Sequence, residues 1–306
     1  MTVRSLKLTA VFGLAILCSW SPRASAQAYR TFISGVGNDA NPCTRALPCQ
    51  SFSVALAQTH QAGEIYVVDA LDQEAVGTGP ITIYKSVSII GAGSRAAISG
   101  EFLIAPEAGG QVLLKGLDFT LGGVQVTTGV GISLVIDDCT FVNSNILFQP
   151  AGTATSNLVV RNSTVSGNPV SPGILIQPQS TGRAVAVIEG VNVSNNYFGI
   201  HALDYSTVTV RNSVVTESVW FGIRSEAQAS PPGLVTVFVE HTQVSHNGGN
   251  GVLAAGSTAT MRLSDVTITD NGAGIATANG GIVYSFGNNC VSGNPTTTPP
   301  APLPFT

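Results

Sequence analysis

Residues 207–223 read TVTVRNSVVTESVWFGI, and residues 236–252 read TVFVEHTQVSHNGGNGV. The two stretches align without a gap. Val208, Val210 and Val215 in the first face Val237, Val239 and Val244 in the second. Apolar residues two apart lie on one side of a strand. Between the second and third of these positions stands a polar corner, Asn212 in one stretch and His241 in the other. Both stretches close on Gly and an apolar residue, Gly222-Ile223 and Gly251-Val252, which open a further strand. The unit is therefore three short strands with a turn after each.

Moving outward from Val215, the same position is held by Phe119, Phe141, Val165, Val193, Val244, Ile268 and Val291, at spacings of 22 to 29 residues. A fixed period of that length is the signature of a solenoid. Five residues before this marker stand Leu114, Ile136, Val160, Ile188, Val210, Val239, Leu263 and Phe286. Seven before it stand Val112, Leu134, Leu158, Ala186, Val208, Val237, Met261 and Tyr284. Both columns are expected to point into the coil. The corner column reads Gly116, Asp138, Asn162, Gly190, Asn212, His241, Asp265 and Asn288, residues that tolerate positive φ better than most. Three residues after the marker come Asn168, Asn196, Asn247, Asn271 and Asn294, with Ser144 and Ser218, which predicts side-chain bonds running up the axis.

The fold expected is all-β: a single-stranded right-handed parallel β-helix of about nine or more coils with a short N-terminal capping helix. An imperfect early coil runs from Ile81 to Ile90, and Glu64 to Val68 reads as the first strand. Ser51 to His60 has helical spacing, with Phe52, Ala55 and Leu56 on one side, and suits a cover for the open top of the coil. The division expected is a leader at 1–26, an entering segment and cap at 27–62, the β-helix at 63–294 and a Pro-rich tail at 295–306, extended or disordered.

The leader rests on Arg4 and Lys7, the apolar run Leu8 to Trp20, and the small-residue pattern Ala24-Ser25-Ala26 before Gln27. The run is too short to span a bilayer. Removing it takes away three basic residues and no acidic one, so the formal charge moves from −4 to −7. A charge of that sign argues against nucleic acid as a partner. Export favours a disulfide between Cys43 and Cys49, which close a Pro-bounded loop, with zinc as the weaker alternative because no His accompanies them. Cys139 and Cys290 sit six coils apart, roughly 29 Å at strand spacing, and are expected to be separate, mostly buried thiols. A secreted or periplasmic location follows.

The segment from Thr31 to Thr44, continued by Pro48-Cys49-Gln50-Ser51-Phe52, resembles the start of many exported bacterial members of the right-handed β-helix, pectin lyase-like superfamily. Ile81 to Ile89 resembles their first coil. The resemblance covers nearly all of the chain after residue 26. It implies the fold and says little about activity, because that fold hosts lyases, hydrolases, epimerases, adhesins and tailspikes. Lyases of the superfamily use acidic calcium ligands on neighbouring coils with a basic proton acceptor. No such acidic cluster, and no catalytic motif, maps onto this sequence. No cofactor and no metal are expected; His60, His241 and His246 do not form a metal set.

Three constellations remain. Lys115, Asp137, Arg161, Glu189, Arg211 and Glu240 alternate in charge four residues before the marker, which predicts an outer ladder of ion pairs that fixes coil register rather than a binding strip for charged sugars, since the alternation cancels the field such a polymer would follow. Beside it Leu113, Val135, Val159, Val187, Thr209 and Phe238 form an outward apolar stripe, to be covered by the tail or a long turn, or to form a homo-oligomer contact. Finally, Tyr197, Phe198 and His201 on one coil match Trp220, Phe221 and Arg224 on the next, with Asp204 and Glu226 close behind. Aromatic faces beside polar groups hold sugar rings. Tyr197, His201, Asp204, Trp220, Phe221 and Arg224 are the binding candidates, and His201, Asp204 and Glu226 the weak catalytic ones. The leading expectation is non-catalytic binding of a glycan or a partner surface. The alternatives are a polysaccharide-acting lyase or hydrolase and a structural, oligomeric surface protein.

Overall fold

The computed structural model describes residues 27–71, 79–93, 96–228 and 232–303. The leader expected at 1–26 lies outside them. The chain winds as a parallel β-helix, with every strand pairing among the described residues parallel. One face is a 12-stranded sheet, and the other two faces belong to one 16-stranded sheet. The second is continuous because Leu117–Val126 runs without a break from one face to the next.

Register follows the sequence columns. Val208 lies between Ala186 and Val237, Val210 between Ile188 and Val239, and Val215 between Val193 and Val244. All of these are buried. The corner is left-handed from Gly116 (φ 65°) through Asn162 (φ 50°) and Asn212 (φ 50°) to Asp265 (φ 53°). A second left-handed corner, absent from the sequence reading, lies two residues after the marker. It is held by Asn143, Gly167, Asn195, Glu217, His246, Asp270 and Gly293.

The residue after that second corner carries the asparagine ladder. Asn247 Nδ2 donates to Asn271 Oδ1 (2.8 Å), and Asn271 Nδ2 to Asn294 Oδ1 (3.1 Å). The ladder also explains the glycines. A Cβ on Gly222 would stand 2.8 Å from Asn247 Nδ2 and 2.6 Å from the Gly251 carbonyl oxygen. The Asn column and the Gly-apolar column are thus two sides of one packing arrangement. Ser218 interrupts the ladder, and its buried hydroxyl has no hydrogen-bond partner.

Both ends depart from the expected plan. The helix is Phe52–Gln58, with Ser51 as its N-cap, because Thr59 already begins the strand Thr59–Val67. Phe52 tops a column of core rings: Phe52 packs on Phe102 (5.1 Å), Phe102 on Phe119 (5.2 Å) and Phe119 on Phe141 (4.7 Å). The helix therefore seals the apolar end of the coil. A strand at Ala28–Ile33 pairs with Thr59–Val67 and precedes the one expected as first. At the other end, Val283 rather than Tyr284 is opposite Met261. A one-residue slip exchanges the two faces of a strand. Phe286 is accordingly exposed, and the corner falls on Gly287 (φ 85°). The Pro-rich segment winds on as a further coil. Gly274 N–H donates to Thr296 O (2.8 Å), and Ala301–Pro302 pairs with Ile282–Ser285. Its described residues, 295–303, end the coil instead of running down the apolar stripe, whose residues are half-buried between their neighbours.

Cys43 and Cys49 form the disulfide. Cys139 is buried and its thiol is pushed up to about 12 by that burial. Cys290 is exposed, contrary to expectation, because it lies on the last strand of the second face.

Candidate binding site

The patch expected around Trp220 forms on the third face, from the parallel strands Phe198–Leu203 and Phe221–Glu226. Ile200 and Ile223 point into the core, and the residues after them, His201 and Arg224, turn to the outer side of the strand. Phe198 pairs with Phe221, and their rings stack at 5.3 Å. Tyr197 packs against Phe198 (4.5 Å), and Trp220 lies beside Phe221 (6.3 Å). The turn carrying these rings is tied coil to coil, with Trp220 N–H donating to Tyr197 O (3.1 Å). On the following coil the matching turn holds Gly248 and Gly249, and Gly249 N–H donates to Trp220 O (2.6 Å). Those two positions put no side chain over the indole, and Trp220 stays 50% exposed.

Below the rings lies an ion cluster. His201 and Arg224 pair across the coils, as the sequence reading requires. His201 Nε2 is 2.9 Å from Glu226 Oε2, and Arg224 Nη2 donates to Glu226 Oε1. The Arg224 guanidinium also sits 4.9 Å from the Phe221 ring centroid. Burial lowers the His201 imidazole below its ordinary value, against the pull of Glu226. Burial pushes the Glu226 carboxyl up, but bonds from His201 and Gln228 and the charge of Arg224 outweigh it and hold the carboxyl low. At neutral pH the cluster is a neutral imidazole, a carboxylate and a guanidinium. The neutral ring donates Nε2–H to Glu226, which leaves Nδ1 as the acceptor.

Asp204 is held apart from this cluster. Its Oδ2 accepts from Gln228 N–H (2.9 Å) and its Oδ1 from Gly233 N–H (2.8 Å). It clasps the turn leading from the third face back to the first. Sequence reading placed it with His201 and Glu226 because all three fall within a few residues of aligned positions. Its side chain turns to the backbone instead. Among the described residues no group of three or more His, Cys, Asp or Glu side chains is placed to hold a metal ion.

The sequence reading missed a cleft of about 570 Å³ at the far end of the same strands, lined by Gln177, Gln179, Thr181, Leu203, Tyr205 and Gln228 among others. Its residues belong to turns of unequal length, so no column exposes them. Tyr205 at φ 62° is the one local sign.

The outer ladder of the first face has the expected register. Asp137 bridges Lys115 (3.2 Å) and Arg161 (3.1 Å), and Glu189 pairs with Arg211 (3.0 Å). Burial works to raise the Asp137 carboxyl, but Arg161, Lys115 and Asn162 hold it below its ordinary range. No helix of the described residues is long and apolar enough to cross a membrane.

Comparison with known proteins places this geometry in a family. No curated protein sequence matches. Among solved structures, a rhamnogalacturonan lyase is similar at 14% identity over 83% of this chain and 75% of its own, with a TM-score of 0.50. The pectate lyase Pel9A is 18% identical over 90% of this chain and 76% of its own, with a TM-score of 0.46. A lacto-N-biosidase from Eubacterium ramulus is 11% identical over 89% of this chain and 67% of its own, with a TM-score of 0.42. At 14% identity the first of these likenesses shows the fold alone. The sequence model of the family described as right handed beta helix region matches residues 123–291, more than half the chain, and the protein belongs to that family.

Proposed function

We propose that this chain is an exported, non-catalytic β-helix protein that binds glycan through the rings of Tyr197, Phe198, Trp220 and Phe221. The observation that carries this reading is the state of the two carboxylates on the same face. Both oxygens of Glu226 and both of Asp204 accept bonds from the protein itself. Asp204 is turned to backbone amides, and Glu226, held low by His201, Gln228 and Arg224, is poorly suited to be the general acid of a two-carboxylate hydrolysis. The half-exposed indole of Trp220 is open to a sugar face. Export draws support from the Cys43–Cys49 disulfide and from the leader-like residues 1–26. The test is a glycan array scored for both binding and cleavage. Binding without cleavage, lost in Trp220→Ala, is the expected result; cleavage, or binding indifferent to Trp220, overturns it.

A second reading, polysaccharide cleavage, has one observation in its favour. The neutral His201, anchored through Nε2, keeps Nδ1 as a proton acceptor among rings that suit a sugar. Cleavage in the same assay that vanishes in His201→Gln, with binding retained, would establish it.

A further inference from the structure

The cleft beyond Leu203 is chemically unlike the ring patch, and the two lie at opposite ends of the same strands. Phe198–Leu203 and Phe221–Glu226 each have six residues, about 20 Å at strand rise. The rings stand at the N-terminal end of both. The cleft opens at the C-terminal end, against the turn holding Gln177, Gln179 and Thr181 on the preceding coil.

Its lining is polar without free charge. Gln149 Nε2 donates to Gln177 Oε1 (2.8 Å), which fixes the amide and turns the Gln177 NH2 group away as a donor. Gln179 Nε2 donates to the Gln177 carbonyl (3.3 Å), so its Oε1 is left to accept. Ser180 and Thr181 add hydroxyls, and Leu203 and the Tyr205 ring supply apolar surface. The one acidic residue of the lining, Asp204, is spent on the backbone of Gln228 and Gly233. No basic side chain lines the cleft among the described residues. Between cleft and rings, the charge of Arg224 is met by Glu226.

We infer that the third face carries a second saccharide subsite in this cleft, and that the ligand is an oligosaccharide of uncharged sugars lying along the strands, across the coil. This rests on the glycan-binding reading above and adds to it the sugar class, the second contact and the direction of the chain. Paired amides, hydroxyls and an aromatic face match the alternating donors and acceptors of sugar hydroxyls. A uronate would bring a carboxylate to a cleft whose lining holds no cation, and its desolvation there would go uncompensated.

Titration calorimetry on the full chain tests this with hexaoses of glucose, galactose, mannose and xylose, and with hexauronates of galacturonic and mannuronic acid. The expected result is that a neutral hexaose binds at least tenfold more tightly than either uronate. Gln177→Ala with Gln179→Ala, and separately Trp220→Ala, should each weaken that binding by about tenfold, the scale of one or two lost contacts. The matching disaccharide should bind far more weakly than the hexaose. Neutral-sugar binding that needs Trp220 but is indifferent to the glutamine pair overturns this inference and leaves the ring-patch reading standing. Preference for a uronate also overturns it. Binding of no sugar at all overturns both. Circular dichroism and thermal melting of the glutamine double variant, expected to match the parent, separate a lost contact from a lost fold.

Discussion

His201 Nε2 lies 2.9 Å from Glu226 Oε2 although the two residues sit on neighbouring coils, two positions out of register. The bond crosses the sheet diagonally beneath the rings of Phe198 and Phe221. It makes a buried imidazole and a buried carboxylate depend on each other.

That dependence sets a pH response. The His201 pKa in the folded chain lies below its unfolded 6.5, so the unfolded chain binds more protons in the interval between. The associated stability is complete above 6.5 and is lost as pH falls through the lowered folded value. Glu226, lowered from 4.5, acts in the same direction: its contribution is complete above 4.5 and is lost as pH falls through its own folded value. Urea unfolding between about pH 7.5 and pH 4.5 should show stability declining on acidification, and His201→Gln should flatten the upper part of that decline.

Glu226→Gln should be costly, because it strands the Arg224 guanidinium against an aromatic ring. Losing one member of a fully buried pair costs about 3–5 kcal/mol. Arg224 keeps 19% of its side-chain surface, so we expect roughly 2–3 kcal/mol. The denaturation midpoint at unchanged m-value measures it.

The outer ladder should be uneven. Asp137, 5% exposed, takes bonds from Arg161 and Asn162 and pairs with Lys115. Asp137→Asn should cost about 1–2 kcal/mol. Glu189→Gln, in a pair with both side chains about 40% exposed, should cost under about 0.5 kcal/mol. Equal losses in the two variants would contradict this account.

The interrupted asparagine ladder can be completed. Ser218 lies between Asn196 and Asn247 in the ladder, and a glycine, Gly199, flanks it as Gly222 flanks Asn247. Ser218→Asn should fit and raise stability by about 1 kcal/mol by satisfying a buried position. Gly222→Ala should do the reverse and cost several kcal/mol, roughly 3 or more, since its Cβ meets backbone on the next coil. Thermal melting of both variants decides it.

The thiols should be distinguishable by labelling. In a chain beginning at Gln27, a maleimide reagent should modify one cysteine, the exposed Cys290, without denaturant. Cys139 should react only after unfolding, because it is buried with its thiol pushed up to about 12.

The coil is legible in the residues alone. A strand alternates inside and outside with a period of two, and stacking repeats the same environment every 22 to 29 residues. Core positions, the first left-handed corner, the ladder and the pairing of His201 with Arg224 all followed from that alignment. The second corner hid because Glu217 and His246 stand among its Asn and Gly residues. Tertiary structure alone decided where side chains of the irregular turns went. Asp204 turned to backbone amides of the matching turn on the next coil, Glu226 reached diagonally to His201, and the glutamine cleft closed between turns of unequal length. It also decided the ends, where the last coil slips by one residue and the Pro-rich segment winds on. The reason is one of constraint. Within the strands, inter-coil hydrogen bonds fix register, so one aligned residue predicts its neighbours. In turns of variable length no such register exists, and contacts are set by packing in three dimensions.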